Sequence, residues 1–594
     1  MDRKSILILV VSFALILLWP KLMHQLYPPP PASTNSVAMP TNQPAANQPA
    51  ASFSTSALPP TTNASAAVPV MPSDAPEKLL VFTTEDAVYT FTSHGGGLKS
   101  VHLQKYPEVI DCSKSMPGEK RFASLNAKAP LPAFALLGDD SEKASFKLSR
   151  FGDTVTAERA SSNGMVVIKE FQISSNNLIQ VKVRMENRSR EAIAIPNHEI
   201  VLGAATPMTV KDESITMGLH WFNGAKAQNI DGNWFANPSF LSCLGMGGSP
   251  RAEYHEGSSN VVWASVNNQF FALAVIPREP APRIVGRPVA LPPPSPEAVA
   301  AEPKAMLNPS GMQASFAYPA LLLPGNQGME RQFTVYAGPK EYNAIARIGA
   351  DMNNELDQIM GFGGFFGFFA KMLLLSMNGL HALGLSYGLS IIGITVIIKT
   401  LFWPLTAAST KSMKRMAALQ PQLKAIADKY KDDPTKKNQK TMEFMKENKV
   451  SPLGGCLPML LQIPVFFGFY KMLQSAIELR GASFLWACDL SQEDTIFHLA
   501  FLGNFPINPL PLIMGATMLW QARLTPMSPG MDPAQQKIMK YMPLMFIFIL
   551  YRMSAGLTLY WTVQNLLTIA QMKLTNAKTE PVGTVTVIPP KRKK

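Results

Sequence analysis

The chain has 594 residues, 47% hydrophobic and only 16% charged, with mean hydropathy of +0.06. That is too long for one ordinary core, and the near-neutral hydropathy excludes a uniform globule in favour of a mixture of membrane and soluble parts. A formal net charge of +13 suits anionic lipid or nucleic-acid phosphates without choosing between them.

Residues 1–26 open with Arg3 and Lys4, run uncharged from Ser5 to Trp19 and then meet Pro20 and Lys21. No small-x-small cleavage site closes the run, so it reads as an uncleaved signal-anchor helix with its N-terminus in the cytoplasm, a cleaved signal being the alternative. Residues 27–76 are Pro, Ala, Ser, Thr and Asn with few large apolar side chains. Such a linker cannot bury enough surface to offset the entropy of ordering.

Residues 77–341 change to short alternating runs. Ile179, Val181, Val183 and Met185 share one face of LIQVKVRM, and VVIKEFQI, VVWASV, QFFALAVI and RQFTVYA repeat the pattern. This predicts an all-β sandwich on the far side of the membrane, with the proline-rich stretch Pro277 to Pro303 as a loop or insertion. His94, His198, His220 and His255 lack metal-ligand spacing, and Gly95-Gly96-Gly97 lacks the strand-to-helix setting of a phosphate loop. Cys112, Cys243 and Cys488 fall on the oxidising side and Cys456 on the other; a Cys112 to Cys243 bridge is left open.

In residues 342–385, Ile345, Ile348, Met352 and Leu356 recur at helical spacing and a Phe-rich segment follows. Little chain separates that segment from the next span, so Phe362 to Leu385 reads as a helix in the outer interface, an additional span being the alternative. Residues 386–576 hold apolar spans at Ser386 to Thr406, Leu453 to Ala476, Pro506 to Leu524, Lys540 to Tyr551 extending to Met553, and Gly556 to Met572. With the anchor they make six. The loop Lys411 to Lys449 and the tail 577–594 are basic, whereas Glu478 to Phe505 carries Arg480 against four acids. That asymmetry places both termini in the cytoplasm.

The basic loop, 411–450, predicts a helical hairpin: Met413, Met416, Leu419, Leu423 and Ile426 at helical spacing, a break at Asp432-Asp433-Pro434, then Met442, Phe444 and Met445. Its methionines suit either an adaptable binding surface or a packed seam. Lys399 lies within the first of the five spans. A charge there costs roughly 3 kcal/mol on insertion scales and marks a functional site, unless its stem snorkels to the interface. Thr395, Gln462, Thr562, Gln564, Asn565 and Thr568 add intramembrane polarity, while no Asp or Glu lies centrally in any span. Lys399 therefore lacks a carboxylate partner, and water or a visiting group must meet it.

The segments KTLFWPLT, VSPLGGCLPMLLQIPVFFGFYKML, DPAQQKIMKYMP and SAGLTLYWTVQNLLTIAQ, together with GGGLKSVHL and NNQFFALAVIP, closely resemble the YidC family of membrane protein insertases in its Gram-negative type. The resemblance implies a polytopic α-helical inner-membrane protein with six transmembrane helices, a five-helix insertase core and an all-β periplasmic supersandwich. The implied protein is not an enzyme, takes no cofactor, metal or small-molecule substrate, and has nascent membrane proteins, the ribosome (through tail and hairpin), the Sec translocon and lipid as partners. The family's groove charge, usually arginine, maps onto Lys399, which keeps the charge but loses the planar fork. Thr395, Gln462, Pro464, Tyr560 and Trp561 match groove positions, with Gln564 and Asn565 beside them; Trp561 departs from a common tyrosine. An ion-coupled transporter and a tethered sugar-binding protein are the other classes weighed.

Overall fold

A computed structural model describes residues 75–110, 112, 121–138, 145–209, 212, 216–237, 249–296, 299, 307–430, 433–448, 457–499, 501, 505–524 and 533–577. The signal anchor, the linker, the basic tail, Asp432, Cys243, Cys456 and the Met413 side chain lie outside that description.

The alternating runs form three large antiparallel sheets and a two-stranded one that pairs Ile193–Ile195 with Leu321–Leu323. The largest has nine strands, in the order Ala227–Asp231, Gly218–Phe222, Trp263–Asn267, Phe271–Pro277, Gly328–Pro339, Leu178–Asn187, Met165–Ile173, Thr154–Ala160 and Lys147–Phe151. Period two explains its packing: Ile179, Val181, Val183 and Met185 are all buried, and Val181 pairs with Phe171 on one side and Phe333 on the other. A four-stranded sheet begun by Leu79–Thr83 shares the same core with a five-stranded one.

That five-stranded sheet corrects the reading of Pro277 to Pro303 as a loop. Arg283–Ala290 is one of its strands, lying between Tyr254–Glu256 and Ser310–Tyr318. The short neighbour covers only Ile284 to Gly286, which leaves Pro288 an open edge where its missing N–H breaks no ladder. The triple glycine is structural: Gly96 has φ +55°, and a Cβ there would fall 2.4 Å from the Phe146 ring. Fully buried Lys169 donates to the carbonyls of Gly95 (2.6 Å) and Phe134 (2.7 Å) beside it.

Ten helices follow among the described residues: α1 (Tyr342–Asp351), α2 (Gly364–Ala382), α3 (Tyr387–Leu401), α4 (Trp403–Ala418), α5 (Gln420–Lys429), α6 (Pro434–Glu447), α7 (Leu457–Leu473), α8 (Pro509–Leu524), α9 (Pro533–Leu550) and α10 (Ala555–Ala577). α2 packs along α7, where Gly468 brings the backbones close: a Cβ on it would meet the Phe369 Cβ at 2.7 Å. One apolar cluster runs from the sheet residues Phe222, Trp263 and Tyr336 through α1 and α2 into α7 and α10.

The span holding Lys399 is not a single straight helix. It breaks at Phe402, and the axes of α3 and α4 differ by 59°. Pro404 has no N–H to offer the Thr400 carbonyl, so the ladder stops there and restarts. By length and apolarity among the described residues, α2 alone qualifies as a membrane span, and the bent α3 and α4 pair raises the number to two at most, against the five spans expected after residue 385. The shortfall has a cause in α10, whose Gln564, Asn565, Thr568 and Gln571 lower its mean hydropathy.

Candidate functional site within the helix bundle

α3 places Lys399 in its last turn, where the helix dipole favours a cation. The side chain is only 7% exposed, and its Nζ donates to the Thr568 hydroxyl of α10 at 2.7 Å. That hydroxyl in turn donates to the Gln564 carbonyl at 2.7 Å. The cation expected to stand free is therefore held by a neutral oxygen. Among the described residues no carboxylate lies within 4.0 Å of it.

One turn further up α10 the network crosses to α7. The Gln564 amide donates to Gln462 Oε1 at 2.8 Å, and the Gln462 amide donates to the Tyr560 hydroxyl. Tyr560 is fully buried and stacks on Phe469 with ring centroids 4.1 Å apart. Pro464 sits inside α7 half a turn beyond Gln462. Trp561 is held edge-on by Phe466 of α7 at 4.7 Å and touches Phe546 of α9 at 5.5 Å.

The predicted residues thus divide. Lys399, Gln462, Tyr560 and Gln564 are joined by hydrogen bonds around Thr568. Thr395 is buried with its hydroxyl donating to its own helix at Ile391, and Asn565 faces α8, donating to Thr517 at 3.1 Å. Gln571 was not anticipated; it donates to Thr406 Oγ1 (2.5 Å) and the Trp403 carbonyl (3.3 Å), tying α10 to the bend after Lys399. Its signal was available, since 564, 568 and 571 recur at i, i+4 and i+7.

In the hairpin, α6 begins where Asp433 caps the Lys436 N–H at 3.0 Å. Met416 and Met445 are buried with Leu419 and Leu423, so these two methionines form a packed seam, whereas Met442 is 57% exposed. The unsettled cysteine pairing also resolves differently: Cys112 bonds to Cys488, not Cys243.

The outer surface of the bundle reverses the usual pattern. Leu460, Ile463 and Phe467 on α7, Leu512, Ile513 and Trp520 on α8, and Leu544, Met545 and Phe548 on α9 are exposed, while the polar side chains just described point inward. An apolar exterior around a hydrogen-bonded interior is stable in hydrocarbon and not in water. The class is accordingly an integral membrane protein with a β-sandwich domain. More particularly, the chain belongs to the YidC family: the family description "YidC periplasmic domain" matches residues 79–375 and "60Kd inner membrane protein" matches residues 379–581.

A relative named "Membrane protein insertase YidC" from Syntrophus aciditrophicus is 30% identical over 97% of this chain and 99% of its own. A solved structure described as active YidC insertase with the first transmembrane domain resolved covers 86% of this chain and 95% of its own, at 19% identity and a TM-score of 0.33. A galactose mutarotase-like protein from Lactobacillus casei covers 44% of this chain and 100% of its own, at 10% identity and a TM-score of 0.28. The β-rich domain is the family's periplasmic domain, and the chain is an inner-membrane protein.

Proposed function

We propose that this chain inserts membrane proteins into the inner membrane and helps them fold, with the Lys399 site as the transient landing point for the polar end of a client. The observation that carries the reading is a buried cation held, among the described residues, by a hydroxyl and no carboxylate. Moving an acidic tail through hydrocarbon costs roughly 3 kcal/mol per charge. An ammonium about 4 Å from a carboxylate returns up to roughly 4 kcal/mol at an effective dielectric of 20. A hydroxyl partner is readily exchanged for a carboxylate, whereas a resident Asp or Glu would neutralise the site permanently. No bond is made or broken, and the charge is borrowed only during passage.

The client's apolar segment leaves between α7 and α9. Support comes from the exposed Leu460, Ile463 and Phe467 on one side, Leu544, Met545 and Phe548 on the other, and Trp561 in contact with both helices. In this reading the bundle makes the five later crossings of a six-span topology, α2 lies in the outer interface, and a groove opens to the cytoplasm. The basic hairpin and tail receive the nascent chain from the ribosome, and the Sec translocon is a partner for longer clients.

Reconstitution into proteoliposomes with a short-tailed, single-span client tests the site. Lys399→Arg should insert at the wild-type level, and Lys399→Ala should lose several-fold, most with acidic tails. Equal insertion by all three proteins would remove Lys399 from the mechanism.

A further inference from the structure

The loop after α7 is not a free connection between two spans. Ile477 belongs to the apolar core of the periplasmic domain. Arg480 Nη2 donates to the Pro107 and Glu108 carbonyls at 2.7 and 3.0 Å, and its guanidinium lies 5.8 and 5.7 Å from the rings of Phe270 and Phe271. A Cβ on Gly481 would approach Ile110 at 3.3 Å. Beyond these contacts stand Cys112 and Cys488, 376 residues apart in sequence, with Cα atoms 5.7 Å apart and their sulfurs bonded. That separation is the commonest one for a disulfide.

We propose that this disulfide is an oxidative staple that locks the periplasmic domain onto the outer end of the helix bundle, so that the two move as one body. The non-covalent contacts come first and hold the two thiols in register. Each thiol loses one proton, and the pair gives two electrons to a disulfide of a periplasmic thiol oxidant, which is reduced to its dithiol as the new S–S bond forms. Such a bond persists only in an oxidising compartment. Its formation would therefore also fix the loop after α7 on the same side of the membrane as the domain, a constraint on topology independent of any insertase activity.

The test uses the full chain carrying a site-specific protease sequence in the turn between α5 and α6. Thiols are blocked with an alkylating maleimide at lysis, and the protein is purified from the inner membrane and cleaved. Cys112 then lies on the N-terminal fragment and Cys488 on the C-terminal one. On a denaturing gel without reductant the two should run as one species near the intact 64.9 kDa, and with reductant they should separate. Cys112→Ser and Cys488→Ser should each separate without reductant, while Cys243→Ser and Cys456→Ser should stay joined. Separation of the wild-type fragments without reductant, or a linkage that survives Cys112→Ser, would overturn the staple.

Discussion

At the level of single residues the sequence identified the unusual group but not its partner. Lys399 is conspicuous because it interrupts an apolar run; that Thr568, 169 positions away, meets it is a matter of how α3 crosses α10. Glu478 was legible only as a loop charge. In the structure it sits beneath the periplasmic domain, accepting from the Asn378 amide (3.4 Å) and the Tyr342 backbone N–H, with Glu341, Tyr106 and Tyr387 near enough to act on it through charge. Burial, aided by Glu341, pushes its carboxyl up to about 7. A carboxyl whose folded-state value is raised binds its proton more tightly in the native than in the unfolded chain, so native stability falls as pH rises from about 4.5 to 7 and stays low above that. Glu478→Gln should flatten this part of the pH dependence and recover up to about 3 kcal/mol at pH 8, with little change at pH 4. Thermal unfolding in detergent at the two pH values measures it; an equal gain at both would rule out ionisation as the cause.

At the level of elements, periodicity located the strands and helices, and local backbone chemistry decided where it misled. Proline counted against a strand at 283–290, yet a three-residue neighbour left Pro288 an open edge. The apolar run through Thr406 concealed the break at Phe402, because hydropathy does not register a missing N–H at Pro404. In the hairpin, spacing put Met416, Leu419 and Leu423 on one helical face but could not say whether that face was covered. It is covered, by the opposite helix. Leu423→Ala should therefore loosen α5 and α6 by about 2 kcal/mol, read as faster amide hydrogen exchange across both helices. Met442→Ala, at an exposed position, should leave exchange within about 0.5 kcal/mol of wild type; comparable loosening by both would show that the seam lies elsewhere.

For the molecule as a whole, the composition announced two solvents and the structure shows how they meet. The boundary is not a hinge at the last strand. Trp263, in the sheet, is fully buried and donates its indole N–H to the Asn354 carbonyl at 2.9 Å; Ile345, Leu356 and Ile359 are likewise inaccessible. The helix α1 and the turn Leu356–Met360 thus complete the core of the periplasmic domain, a fact that alternation, which ends at Pro339, cannot convey. Each of those three side chains contributes about 1.5–3 kcal/mol of burial, opposed by the entropy of ordering the segment. A soluble fragment of residues 75–361 should be monomeric and melt cooperatively. A fragment of residues 75–340 exposes Phe222, Trp263 and Tyr336 and should melt lower, by about 2–4 °C for each kcal/mol lost, with self-association visible by size-exclusion chromatography. Equal melting temperatures would place the boundary at the last strand and make α1 a tether rather than a part of the domain.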